Sequence, residues 1–233
     1  MKRVGALNSL RIVMIFIHLY FMYWILNIWG FKLKTFLFLT KINFFVNFFY
    51  FFYTGIIVSY LSYKLNEVER GTPCYYVKKR LVENHERFVN STFKFSFCLS
   101  VAVNILYWSL FFFMPGMLGN TPTPFLLDVF LHGGNMGVLL IDLICNGKFN
   151  CREHSITKAF LIKFTCFYFA LQYAVFYTMN IEIYPMVSKL SLPQFSLVGL
   201  AGFGLFSIGD IVYENYLAGK KDKKVKHALV KLS

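Results

Sequence analysis

Charge is scarce in this sequence. Only 15% of the 233 residues are Asp, Glu, Lys or Arg, whereas 57% are hydrophobic and 20% aromatic, with Phe alone at 29 positions. That balance excludes an ordinary soluble domain, and the apolar residues are not scattered but gathered into long blocks with short polar segments between them. The blocks lack the strict alternation of apolar and polar positions that barrel strands need, which leaves helices. An unpaired peptide group in lipid costs several kcal/mol, and a spanning helix avoids that cost by pairing its own backbone.

Other absences narrow the function. The five cysteines (Cys74, Cys98, Cys145, Cys151 and Cys166) have no metal-ligand spacing, and the sequence implies no metal and no cofactor. None of them falls in a segment expected to be exoplasmic, and Cys145 and Cys151 lie near the cytoplasmic face, where thiols stay reduced. A net charge of +13 raises nucleic acid as a partner, but the basic residues flank apolar blocks and form no groove-reading motif. Attraction to anionic membrane lipids accounts for them, at about 1 kcal/mol for each Lys or Arg near the surface. The first block ends in Asn27-Ile28-Trp29-Gly30 with no small-x-small cleavage site, which marks a retained helix rather than a signal peptide.

What is present is six apolar blocks, at 12–29, 36–63, 93–114, 124–145, 156–179 and 195–218. A hydrocarbon core about 30 Å thick needs about 20 mostly apolar helical residues to cross it. The expected fold is therefore an all-α bundle of six transmembrane helices, a single domain over 1–219 followed by a basic tail, 220–233. Of the 24 Lys and Arg residues, 20 lie in or beside the N-terminus, 64–94, 147–163 and the tail. The alternate segments 30–35, 115–123 and 180–194 hold only Lys32, Lys34 and Lys189, and Lys41 stands inside the second block. This alternation places both termini in the cytoplasm. The sequon Asn90-Ser91-Thr92 then faces the cytoplasm and is expected to carry no glycan. The tail Lys220-Lys221-Asp222-Lys223-Lys224 resembles those of endoplasmic-reticulum proteins, which makes that membrane the expected location.

Polar residues at membrane depth are expensive and are the place to look for function. In the second block Thr40, Asn43, Asn47, Tyr50 and Thr54 recur at steps of three and four; in the fourth, Asp128, His132, Asn135 and Asp142 share one helical face. Packing between helices explains such residues at about 0.6 to 2 kcal/mol each, and is the expectation for the Asn and Tyr residues. Asp128 and His132 are one turn apart, a spacing at which an acid orients an imidazole and fixes its tautomer. His18 has no such companion in sequence and is expected to pack or to line a pore. With both blocks entering from the exoplasmic side, Thr40 lies roughly 8 Å deep and His132 roughly 12 Å, so a hydroxyl–base pair is within reach. Asp142 is about 15 Å from His132 and belongs elsewhere.

Around these residues the chain resembles the androgen-induced gene family of membrane proteins, which includes the androgen-dependent TFPI-regulating protein and fungal relatives. Phe38-Leu39-Thr40-Lys41-Ile42-Asn43 is similar to its F-L-T-x-I-[DN] segment, and His132 followed through Val138-Leu139-Leu140-Ile141 by Asp142 is similar to its histidine, apolar run and acid. Tyr184-Pro185, Gly209-Asp210 and Asn215-Tyr216 also match. The resemblance implies six helices and a threonine hydrolase of fatty acid esters of hydroxy fatty acids or related lipid esters. Thr40 is then the nucleophile and His132 its base. Spacing adds Asp128 as orienter and Asn43 or Asn135 as oxyanion donors. Two positions depart from the family: Lys41 follows the threonine where animal members have an apolar residue, and Asp128 replaces a neutral amide. A non-enzymatic membrane scaffold and a small proton-coupled carrier using Asp128, His132, Asp142 and Asp210 stand as alternatives. The sequence shows no internal repeat of the kind carriers have.

Overall fold

A computed structural model describes residues 2–30, 32, 37–113, 124–146, 154–179 and 191–230. Among these residues every regular element is helical. The helices are α1 (Lys2–Trp29), α2 (Leu39–Asn66), α3 (Pro73–Phe113), α4 (Phe125–Cys145), α5 (His154–Met179) and α6 (Leu192–Val230). Each contains a stretch long and apolar enough to cross a membrane, six in all among the described residues. The architecture is all-α and multi-pass.

Helix boundaries run past the apolar blocks wherever the local chemistry lets them. α3 begins at Pro73, twenty residues before the expected span. The Thr72 hydroxyl accepts from the Tyr75 N–H at 3.2 Å, and Pro73 takes the first helical position, where its missing N–H costs nothing. No Gly or Pro follows until Pro115, so the helix continues through the charged run 78–87. At about 1.5 Å per residue a helix of this length is about twice as long as a hydrocarbon core is thick, so part of it extends beyond the lipid. At the start of α6 Gln194 Oε1 accepts from the Ser191 N–H and hydroxyl, both at 2.9 Å, which is one half of a capping box. It runs on through the lysine tail to Val230. α1 closes at Gly30, whose φ of +69° and N–H to the Leu26 carbonyl at 2.8 Å make a left-handed cap.

The chain divides into two compact units, Met1–Ser96 with Thr121–Asn146, and Phe97–Asn120 with Gly147–Ser233. α3 contributes its first part to one unit and its last part to the other.

In the first unit α1 is antiparallel to both α2 and α4, which run parallel to each other. The contacts give this directly. Arg11 meets Asp142, and seven residues up α1 and seven back along α4 His18 meets Asn135. Gly55 of α2 lies against Arg11 and Ile15, whereas Lys41 reaches Trp29 at the far end of α1. The apolar centre is Phe21, Ile25, Phe44, Leu127 and Leu131, with the Phe21 and Phe130 rings stacked at 4.2 Å. α1 is apolar over its outward faces, where Phe16 and Tyr23 stand as lipid-facing residues do, and turns Arg11 and His18 inward. In the second unit α5 packs on α6 through Phe164 and Phe206, while Phe169 covers Gly199 and Gly202. A Cβ on Gly209 would come within 2.8 Å of the Cys98 Cα, so glycine permits that close approach. Asp210 beside it is buried.

Candidate functional site

Two helices bring the expected residues to one end of the first unit. α2 carries Thr40 in its first turn, with Phe38 as an N-cap that makes no side-chain capping bond. α4 carries Asp128 and His132. The backbone of α4 changes at Phe130–Gly134 to the wider π form, a local distortion that recurs at functional sites. Gly134 makes room for it: a Cβ there would sit 2.7 Å from Cδ2 of Phe130. His132 lies inside this segment, and its Nε2 is 3.4 Å from Asp128 Oδ1. The acid–imidazole pair expected from spacing is thus formed.

The π segment packs against the first part of α2. Tyr50 meets Asp142, and ten residues back along each of these parallel helices stand Thr40 and His132. By that contact the two are level. The Phe44–Phe130 contact at 6.4 Å shifts the register by six residues, which places Thr40 up to about 9 Å nearer the start of α2. Thr40 is half-buried, and no hydrogen bond joins it to Nδ1 of His132 among the described residues. The two residues are therefore brought to one end of neighbouring helices without being bonded.

Each asparagine expected as an oxyanion donor has its side-chain oxygen engaged in another contact, while Nδ2 of Asn135 makes no hydrogen bond. Asn135 is buried and its Oδ1 lies 3.1 Å from Nε2 of His18, while Nδ1 of His18 lies 2.8 Å from the Met14 carbonyl. His18 has a companion after all, on another helix, and sits among Phe44, Phe48, Phe51 and Phe130 with ring centroids 5.1–6.3 Å away. Asn43 is buried and accepts from Asn47 Nδ2 at 3.5 Å. These contacts join helices or turns, as packing residues do.

Sequence reasoning missed Arg11, which it placed with the basic N-terminus just before the first span. It lies within α1 and is buried. Its Nε and Nη2 donate to the two Asp142 oxygens at 3.1 and 3.2 Å, Nη2 also reaches the Tyr50 hydroxyl at 3.4 Å, and that hydroxyl donates to Asp142. A planar guanidinium matched to both carboxylate oxygens is the strongest pairing available to Asp142. α2 is also π-helical at Tyr53–Val58, beside this network, and Gly55 lets α1 approach. The signal for Arg11 was a basic residue at the edge of an apolar block together with an acid in another.

Phe49, Tyr50, Tyr53, Phe88, Val89 and Thr92 line a shallow apolar dent between α2 and α3 with no room for a water molecule. It is too small for a lipid and holds neither Thr40 nor His132. Near it the Tyr53 hydroxyl contacts Nδ1 of His85. Asn90 of the sequon lies within α3 and is half-buried. Cys74, Cys98, Cys145 and Cys166 are free thiols. Cys151 and Tyr184-Pro185 lie outside the described residues. The chain matches no family profile, no curated protein and no solved structure.

Proposed function

We propose that the chain is an integral membrane lipid-ester hydrolase, with Thr40 as nucleophile and His132 as base. The observation that carries this reading is the Asp128–His132 pair at 3.4 Å, presented by a π segment that packs on the helix bearing Thr40. Asp128 accepting from the Nε2–H leaves Nδ1 as the basic nitrogen. That nitrogen takes the Thr40 proton as the hydroxyl oxygen attacks the ester carbonyl. The tetrahedral intermediate collapses with cleavage of the ester C–O bond, and the proton passes from the imidazolium to the departing alkoxide. Water, deprotonated by the same nitrogen, then cleaves the acyl-threonine to the free acid. Catalytic hydrogen bonds tighten on substrate binding, so a pair brought near but unbonded is compatible with this chemistry.

The resemblance names fatty acid esters of hydroxy fatty acids, or related lipid esters, as substrates. The alternation of basic segments supports cytoplasmic termini with the site in the exoplasmic half, and the basic tail supports the endoplasmic-reticulum membrane. Purified protein assayed on a panel of lipid esters tests the function. Thr40→Ala and His132→Ala are each expected to lower turnover by about 10²–10⁴-fold. Equal turnover in wild type and both variants would remove the hydrolase. The His18–Asn135 contact between two helices favours the second reading, a membrane scaffold whose polar residues only pack helices.

A further inference from the structure

We infer that His18 is a buried proton-binding site, and that the Asn135 side-chain amide turns over as the proton comes and goes. His18 lies within α1 and is fully buried. Its Nδ1 is 2.8 Å from the Met14 carbonyl oxygen and its Nε2 is 3.1 Å from Asn135 Oδ1. Both neighbours are oxygens that only accept. A neutral imidazole has one N–H and one lone pair, so it satisfies one of these oxygens and opposes the other. An imidazolium donates to both.

Nδ2 of Asn135 is buried and makes no hydrogen bond, so only His18 fixes the orientation of the amide. Rotated half a turn about Cβ–Cγ, the amide donates its Nδ2–H to the lone pair of a neutral Nε2. No other hydrogen bond of the side chain opposes that rotation. A proton on Nε2 therefore selects the orientation. It comes from water and enters the Nε2 lone pair, and no covalent bond of the protein breaks.

The surroundings suit the charged form. Phe44, Phe48 and Phe51 of α2 tilt at 36–43° to the imidazole with centroids 5.1–6.3 Å away, and Phe130 of α4 meets it edge to face at 5.5 Å. Aromatic rings at this range favour a cation over a neutral group. The titratable groups of the three helices lie elsewhere: Arg11 and Tyr50 bond Asp142, Lys41 lies against Trp29, and Asp128 pairs with His132. None of them is among the polar and ring contacts of His18. His18 takes no part in the proposed ester cleavage, so its proton site stands whether or not Thr40 is a nucleophile.

The test is ¹⁵N NMR of the full-length protein, labelled at histidine and asparagine, in nanodiscs between about pH 5 and 8, where imidazoles usually titrate. Subtracting the spectrum of His18→Gln isolates the His18 signals; if that variant does not fold, replacing the other histidines one at a time isolates them by elimination. On acidification wild type is expected to lose the unprotonated Nε2 signal and to show two protonated ring nitrogens. Nδ2 of Asn135 should couple to Nε2 at the upper end of the range and not at the lower. Asn135→Asp supplies a carboxylate that only accepts, and should keep both nitrogens protonated to the top of the range. Asn135→Leu offers no acceptor, and should keep Nε2 unprotonated to the bottom. A single form of Nε2 across the range in wild type, an Nδ2 coupling that does not change with pH, or the same titration in all three proteins overturns the inference and leaves His18 as a packing residue.

Discussion

At one end of the first unit Arg11, Tyr50 and Asp142 are closed upon one another; at the other Asp128 and His132 touch at 3.4 Å beside a threonine they do not bond. Side-chain exposure separates the two centres further. Arg11 and Asp142 are 9% and 0% exposed, His132 and Asp128 11% and 26%. The first centre is compact and dry, and each of its charges is matched by geometry. The second is looser and reaches the surface through Asp128. Polar groups that only hold helices together do best when fully matched, because a half-matched group in lipid is costly. A site that must admit a substrate has to stay open. On that ground the Arg11 centre has the character of a fastener, and the His132 centre has the openness that the proposed chemistry requires.

The largest effect that could break this contrast is expected at the fastener. Arg11→Ala or Asp142→Ala leaves an uncompensated charge among buried groups and should destabilise by about 3–5 kcal/mol, measured by unfolding in mixed micelles. The double variant Arg11→Met with Asp142→Leu should recover most of that loss, since two apolar groups of similar size leave no charge behind. Double-variant turnover per folded molecule should stay near wild type. A large loss of turnover at preserved stability would instead make the Arg11 centre part of the chemistry.

A smaller effect is expected between the two centres. Asn135→Leu removes the contact to His18 at 3.1 Å and should destabilise by about 0.6–2 kcal/mol, the usual range for hydrogen bonds between membrane helices. Turnover per folded molecule should be unchanged. A loss of turnover of about 10²-fold or more at unchanged KM would return Asn135 to the role of oxyanion donor.

The fold was legible because length and apolarity decide it locally. A helical span pairs its own backbone, so six long blocks could be counted without knowing any contact. Boundaries were less legible: α3 starts where Thr72 and Pro73 cap it, not where the apolar block begins, because helix propensity continues through charged residues that lie outside lipid. The Asp128–His132 pair was legible because both members lie on one helix, four residues apart. Arg11–Asp142 and His18–Asn135 were not, since their members are 131 and 117 residues apart and only the antiparallel packing of α1 on α4 joins them. Periodicity finds partners on one face; it does not say which helix that face meets.

Asp128→Asn should give the smallest change in stability and thereby test the contrast most finely. The carboxylate is partly exposed and its contact with His132 is long, so its attraction is weakened by solvent. The amide keeps the shape and can still accept from the imidazole N–H. The loss should stay within about 0.5 kcal/mol, as for a substitution at an open position. Turnover should nevertheless fall while KM holds, because an amide does not stabilise the imidazolium that forms as Thr40 gives up its proton. Asp142→Asn, the same change of one oxygen for an amide at the other centre, should do the reverse: a clear loss of stability and little change in turnover per folded molecule. If the two variants destabilise equally, openness does not distinguish the centres, and Asp128 is a fastener like Asp142.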